Sequence, residues 1–152
     1  DALLISADAL WENGFGVVFP ELEGEAAFAE VAATLDLIER LAPRTVIPGH
    51  GPVFYDAPRA IDTARRRLDG FVREPLKHAL HGAKVLLKYK LLEWQQIALV
   101  DVQAWALATP YFNLLHTRYF AEMAFLPWLH SLVESLLRSG AATRQGDVLH
   151  NA

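Results

Sequence analysis

Val46-Ile47-Pro48-Gly49-His50-Gly51-Pro52-Val53 sets a histidine between two glycines and two prolines, directly after a short apolar run. The run Thr45-Val46-Ile47 reads as a buried strand, and the prolines end it, because each fixes φ and removes a backbone donor that a continuing ladder needs. Gly49 and Gly51 open backbone shapes closed to residues with a Cβ and let other groups approach. The imidazole is thereby held on a stiff, stripped loop at a strand end, the usual presentation of a metal ligand. The competing reading is a tight turn with an incidental surface histidine.

Upstream, Leu3-Leu4-Ile5 reads as a second short, wholly buried strand of a parallel or mixed sheet. It leads through Ser6-Ala7-Asp8-Ala9-Leu10 into a glycine-rich loop, Trp11-Glu12-Asn13-Gly14-Phe15-Gly16, in which Asn13-Gly14 suits a hairpin turn. Pro20 to Gly24 reads as a connector. From Glu25 to Leu41 the apolar spacing turns helical, with Phe28, Val31, Leu35 and Ile38 on one face and Pro43 as the stop. Strand, helix, strand implies an α/β layer. Asp8 and His50 both follow strand ends, where α/β folds gather their functional groups. Zinc accepts imidazole nitrogen and carboxylate oxygen, so this pair is the candidate metal site. An Asp after a strand is also a common turn or cap residue.

Downstream, Asp56-Ala57-Pro58 opens a helix. Ile61, Ala64, Leu68, Phe71 and Val72 form its inner face, and Gly70 and Pro75 should weaken it before a stop at Gly82. Val85 to Glu93, Val100 to Leu107 and Arg118 to Ser139 read as three further helices, the last interrupted by Pro127 and ended by Gly140. A hairpin over 143–149 follows, around Gln145-Gly146. Three helices and a small ribbon make the outline of a winged helix.

The 152 residues carry 53% hydrophobic and 21% charged side chains, so the chain can build a core and is not disordered. It has no cysteine, which removes a disulfide framework and any thiolate metal site and fits a reducing, cytoplasmic compartment. No apolar run reaches the roughly 18 residues of a spanning helix, and the first residues are not a signal peptide. A membrane partner is therefore not expected. Charge divides the chain: residues 1–58 hold two basic and ten acidic side chains, 59–90 nine and three, and 91–152 three and five. The expected organisation is an α/β part over 1–56, a basic connecting helix over 57–82 and a winged-helix-like helical domain over 83–152.

The passage from Ser6-Ala7-Asp8-Ala9-Leu10 to Pro48-Gly49-His50-Gly51-Pro52 resembles the C-terminal half of the metallo-β-lactamase fold, an αββα architecture. The resemblance covers roughly residues 1–55. It implies that Asp8 bridges two metal ions and orients a catalytic hydroxide, while His50 binds the second ion. Ala7 stands where that family more often has glycine. The family's His-x-His-x-Asp-His motif is absent from this sequence, as is a further histidine before Asp8. The chain opens abruptly on a strand and is expected to be the C-terminal fragment of a longer protein. The parent is expected to be a hydrolase holding two Zn²⁺, attacking a thioester, ester or amide carbonyl of a small acyl substrate. With two ligands, short of the three or four that zinc needs, the fragment is expected to bind metal weakly and to hydrolyse nothing. Helical extensions after the last ligand occur in that family, in keeping with the order of elements over 83–152.

Two other readings stand beside it. One is a phosphodiesterase or ribonuclease of the same fold, with Arg65, Arg66, Arg67, Arg73, Lys77, Lys84, Lys88 and Lys90 meeting phosphates. It is not favoured, since such runs are usually solvated helix faces and the last unit is slightly acidic. The other is a helical interaction or homodimerisation module that associates through an aromatic surface; Trp94, Trp105, Tyr111, Phe112 and Trp128 read most simply as core, with an acyl pocket or a dimer face as the alternative for some of them. His78 and His81, three apart, read as solvated or partner-facing, His116 and His130 as core or rim residues, and His150 as surface.

Overall fold

A computed structural model describes residues 2–152. The chain is mixed α/β and divides into two compact units, Asp1–Pro75 and Leu76–Ala152. The first holds β1 (Leu3–Ala7), α1 (Phe19–Glu23), α2 (Phe28–Leu41), β2 (Thr45–Pro48) and α3 (Ala57–Arg73). β1 and β2 pair in parallel, with Leu4 opposite Val46 and Ile5 opposite Ile47, and the register slips between Ile5 and Ala7. The core lies on one side of this pair. Val46, Leu10, Leu35, Ile38, Ile61, Ala64 and Leu68 are all buried there.

Several local expectations are corrected. β1 is not wholly buried: Leu4 turns partly inward, but Leu3 and Ile5 stand 58% and 72% exposed, because α2 and α3 supply only one covering layer. Pro20 to Gly24 is not a connector but most of α1, with Pro in the first turn and Gly24 closing the helix in the left-handed conformation. α2 starts at Phe28 rather than Glu25, where the Glu21 carboxylate accepts from the Ala27 and Phe28 N–H groups at 2.8 and 3.0 Å. In α3 the Asp56 cap accepts from the Arg59 N–H at 3.2 Å, as its sequence suggests. Val72 is exposed rather than inward.

The second unit contains α4 (Pro75–Trp94), β3 (Gln96–Ala98), α5 (Leu99–Ala108), α6 (Pro110–Tyr119), α7 (Phe125–Arg138), β4 (Ala142–Gln145) and β5 (Val148–Asn151). α4 runs unbroken through Gly82, which is buried rather than a stop. The residues expected to form one connecting helix are split at Glu74–Pro75, α3 belonging to the first unit and nearly all of α4 to the second. Proline supplies the reason, since it disfavours helical φ/ψ in the residue before it and is welcome in a first turn. The same preference places Pro127 within the first turn of α7, so the helical break falls at 120–124 instead. Three strands form an antiparallel sheet in the order β3-β5-β4. Its inner side rests on Leu149, and Trp128, Phe112, Leu115, Leu129 and Leu132 fill the helical core.

Lys88 ties this unit together. Its ammonium donates to the Ala141 carbonyl at 2.6 Å, the Asn151 side-chain oxygen at 2.5 Å and the Ala152 oxygen at 2.9 Å. All three of its N–H bonds therefore hold the ribbon and the last residues to α4.

Candidate metal-ligand pair

The register slip at the end of β1 turns the chain sharply. Ser6 is buried and donates through Oγ to the Leu10 carbonyl at 2.6 Å, while the Ala9 N–H returns to the Ser6 carbonyl at 2.9 Å. Ala7 takes φ 46°, a left-handed value that costs a residue with a Cβ. Asp8 leaves this turn directed away from the core and is 73% exposed.

β2 ends beside it. The Gly49 N–H donates to the Ala7 carbonyl at 2.8 Å, a last rung beyond the strand ends. A Cβ on Gly49 would stand 2.9 Å from Asp8 Oδ1 and 3.1 Å from the Ala7 carbonyl carbon, so only glycine admits this approach. Val46 then pairs with Phe54 through two backbone hydrogen bonds, 2.9 and 3.1 Å, closing the intervening residues into a compact loop. Gly51, at φ 90°, makes the return possible. His50 is carried on this loop with its side chain 59% exposed.

The two side chains meet. His50 Nε2 lies 3.7 Å from Asp8 Oδ1. Two donors on one zinc ion at the tetrahedral angle stand roughly 3.4 Å apart, so the separation and donor types suit a shared cation. Their number does not. Among the described residues no group of three or more His, Cys, Asp or Glu side chains is placed to hold a metal ion. Asp8 and His50 are two donors facing solvent, short of a zinc site.

A third residue belongs to this place. Trp11 follows the Asp8 turn, and its indole meets the His50 imidazole edge to face, with ring centroids 4.9 Å apart and planes at 71°. From the sequence alone Trp11 reads as part of a glycine-rich loop. Its position three residues after the candidate ligand was the available signal.

Four arginines of α3 are engaged elsewhere. Arg65 bonds Asp36 at 2.6 Å and Glu39 at 2.8 and 3.1 Å, pinning α3 to α2. The guanidinium holds the Glu39 carboxyl below its ordinary range, by hydrogen bonding first and charge second. Arg67 lies over Phe15 and Phe71, 5.6 and 5.4 Å from their centroids, and burial lowers its pKa. Arg66 donates to Thr63 and Arg73 to the Asp69 carbonyl.

The other histidines divide. His78 is 1% exposed and not solvated. His116 bonds the Met123 carbonyl at 2.7 Å and packs against Phe125 and Trp128, at the rim of the core as expected. His130 is exposed rather than in the core, and meets Gln103 at 2.8 Å. His150 is half-buried and lines an open groove of about 670 Å³ with Trp94, Gln96, Ala98, Asp101 and Val148, all within the second unit. No helix among the described residues is long and apolar enough to cross a membrane. No family model matches the chain, and no curated protein does.

Proposed function

We propose that this chain is the C-terminal part of a metal-dependent hydrolase and contributes two ligands, Asp8 and His50, to a centre completed by residues outside it. One observation carries the reading: two parallel strands end side by side and deliver a carboxylate and an imidazole to within 3.7 Å. A second supports it. Parallel sheets are found covered on both faces, yet Leu3 and Ile5 stand open on one side of this pair. The metallo-β-lactamase resemblance supplies the reaction class, hydrolysis of a thioester, ester or amide carbonyl, with zinc as the cation. A bound divalent cation supplies Lewis acidity and makes water acidic enough to act near neutral pH. Asp8 contributes a carboxylate at the strand rim and His50 an imidazole nitrogen, both held by the Gly49–Ala7 hydrogen bond. With two donors, this chain alone binds zinc weakly and is inactive.

The test uses a chain that carries these residues together with the sequence encoded before Asp1. There, Asp8→Ala or His50→Ala lowers zinc content below two ions per chain and cuts thioester hydrolysis by at least about 100-fold, the usual scale for loss of a group central to catalysis. Unchanged metal content and activity in both variants would refute the reading. Tight stoichiometric zinc binding by residues 1–152 alone would contradict the two-ligand account.

For the second unit, the order helix, strand, three helices, two strands supports a winged-helix-like extension. Its role is better read as protein contact than as nucleic-acid binding. Along α7 the exposed positions include Leu126, His130, Glu134 and Arg138, a face without excess positive charge, and Arg144 of the ribbon is spent on Asp147 at 3.0 Å. A sedimentation series on the whole chain tests this reading, which requires association as concentration rises. A strict monomer would count against it, and a steep fall of RNA affinity with salt would favour the ribonuclease alternative.

A further inference from the structure

We infer that Trp11 is a positioning residue for His50: its indole braces the imidazole in the orientation that turns Nε2 toward Asp8. The inference rests on the proposed function for its consequence, but its structural claim stands on the chain itself.

Among the described residues His50 has little else to steady it. Its loop is bounded by glycines, its side chain is 59% exposed, and its Nε2 lies 3.7 Å from Asp8, beyond hydrogen-bond distance. Histidines that ligate metals normally have their rings oriented by a neighbouring group, usually a hydrogen-bond acceptor. Here the neighbour is aromatic. The T-shaped geometry, 4.9 Å and 71°, is one that ring quadrupoles favour.

The brace is itself held. Leu10 is fully buried, which throws the next residue to the opposite side of the chain. Trp11 and Gly14 close a tight turn, with Trp11 N–H to Gly14 carbonyl at 2.6 Å and the reverse bond at 3.3 Å. The six-membered ring then lies over Gly16, where a Cβ would stand 3.3 Å from Cη2 and 3.4 Å from Cζ2. Glycine at 16 thus makes the space in which the indole is seated. Among the described residues the indole Nε1 is buried there without a hydrogen-bond partner. The N–H therefore contributes nothing to the brace, and a ring lacking it should serve as well. That separates an aromatic role from a hydrogen-bonding one.

Three variants test the inference: Trp11→Phe, Trp11→Leu and, as a packing control in the second unit, Trp105→Phe. In residues 1–152 without metal, the readout is the His50 ring in NMR at one fixed pH, by its ring-current shift and its cross-relaxation to residue 11. Trp11→Phe should keep both signals, Trp11→Leu should abolish both, and Trp105→Phe should leave them alone. In the longer chain, Trp11→Leu should weaken zinc at the His50 site about three- to tenfold, the scale of one aromatic contact, and Trp11→Phe should restore it. A His50 ring whose signals are the same in the leucine variant overturns the inference, as does a phenylalanine variant that behaves like leucine. If the ring signals respond as stated while the longer chain holds no zinc at His50, the hydrolase reading fails and the brace stands. Should Trp11→Leu fail to fold, Gly16→Ala perturbs the same contact by crowding the indole, and an unshifted His50 ring there overturns the inference equally.

Discussion

Replacing Gly49 with alanine isolates the close approach on which the candidate site depends. Gly49 is not among the glycines at positive φ, so alanine meets no backbone strain. The effect is crowding alone. The new Cβ would stand 2.9 Å from Asp8 Oδ1, 3.1 Å from the Ala7 carbonyl carbon and 3.2 Å from its oxygen. The exposed Asp8 side chain can swing aside at small cost. The Ala7 carbonyl cannot, because it accepts the Gly49 N–H at 2.8 Å. Overpacking of this kind costs about 1–3 kcal/mol, and a weakened hydrogen bond about 1 kcal/mol. A loss near 2 kcal/mol follows, about 1 M in urea midpoint at the usual slopes for small proteins. The assay is urea unfolding followed through the NMR signal of the Trp11 indole, Trp11 being the one tryptophan of the first unit. Asp8 should also move away from His50. Gly51→Ala is the counterpart: nothing lies within 4 Å, so its cost is left-handed strain of about 1 kcal/mol, with Asp8 undisturbed. Stability of Gly49→Ala within about 0.5 kcal/mol of the parent, the range of an ordinary surface change, would refute the geometry.

Ala7→Gly should stabilise the first unit by about 1 kcal/mol, since alanine at φ 46° carries left-handed strain that glycine does not; thermal unfolding checks it. Glu21→Ala should cost about 1–2 kcal/mol by exposing the Ala27 and Phe28 donors at the start of α2, measured by chemical denaturation. Lys88→Met should cost about 2–3 kcal/mol and raise amide exchange in β4 and β5, because three acceptors lose one ammonium. Glu39 has a folded pKa below its unfolded value, so its contribution is present above the ordinary carboxylate range and lost as pH falls through the folded value. Arg65→Met should flatten that acid limb in a stability–pH profile.

What could be read in the chain was what local rules govern. The Asp56 cap, the α2 face of Leu35 and Ile38, and the strand ends beside Asp8 and His50 follow from periodicity, capping and proline chemistry. Where the local rules mislead, the cause is either an ambiguous residue type or a contact made at long range. α1 was hidden because Pro20 and Gly24 are as much loop residues as helix-boundary residues, and only the αL cap distinguishes them. Gly82 reads as a stop, yet it is buried inside α4, where a small residue permits packing. β3 spans three residues and exists through its pairing with β5, a partner more than forty residues away, which no local pattern contains. Ala7 shows the converse. Its φ of 46° favours glycine, and the alanine in the sequence does not display that conformation. Trp11 was visible only as an aromatic in a loop, since its contact with His50 depends on two turns closing together.

The six histidines of the chain provide the most direct test of the central claim, that one carboxylate and one imidazole are paired at the rim of a sheet to receive a cation. Zinc is titrated into residues 1–152 while all imidazole ¹⁵N signals are followed. The account predicts that His50 responds first, at well below the zinc concentration that moves the exposed His130, with weak affinity and with the preference abolished in Asp8→Ala. A His50 that responds no earlier than His130, or one whose response is indifferent to Asp8, would contradict it.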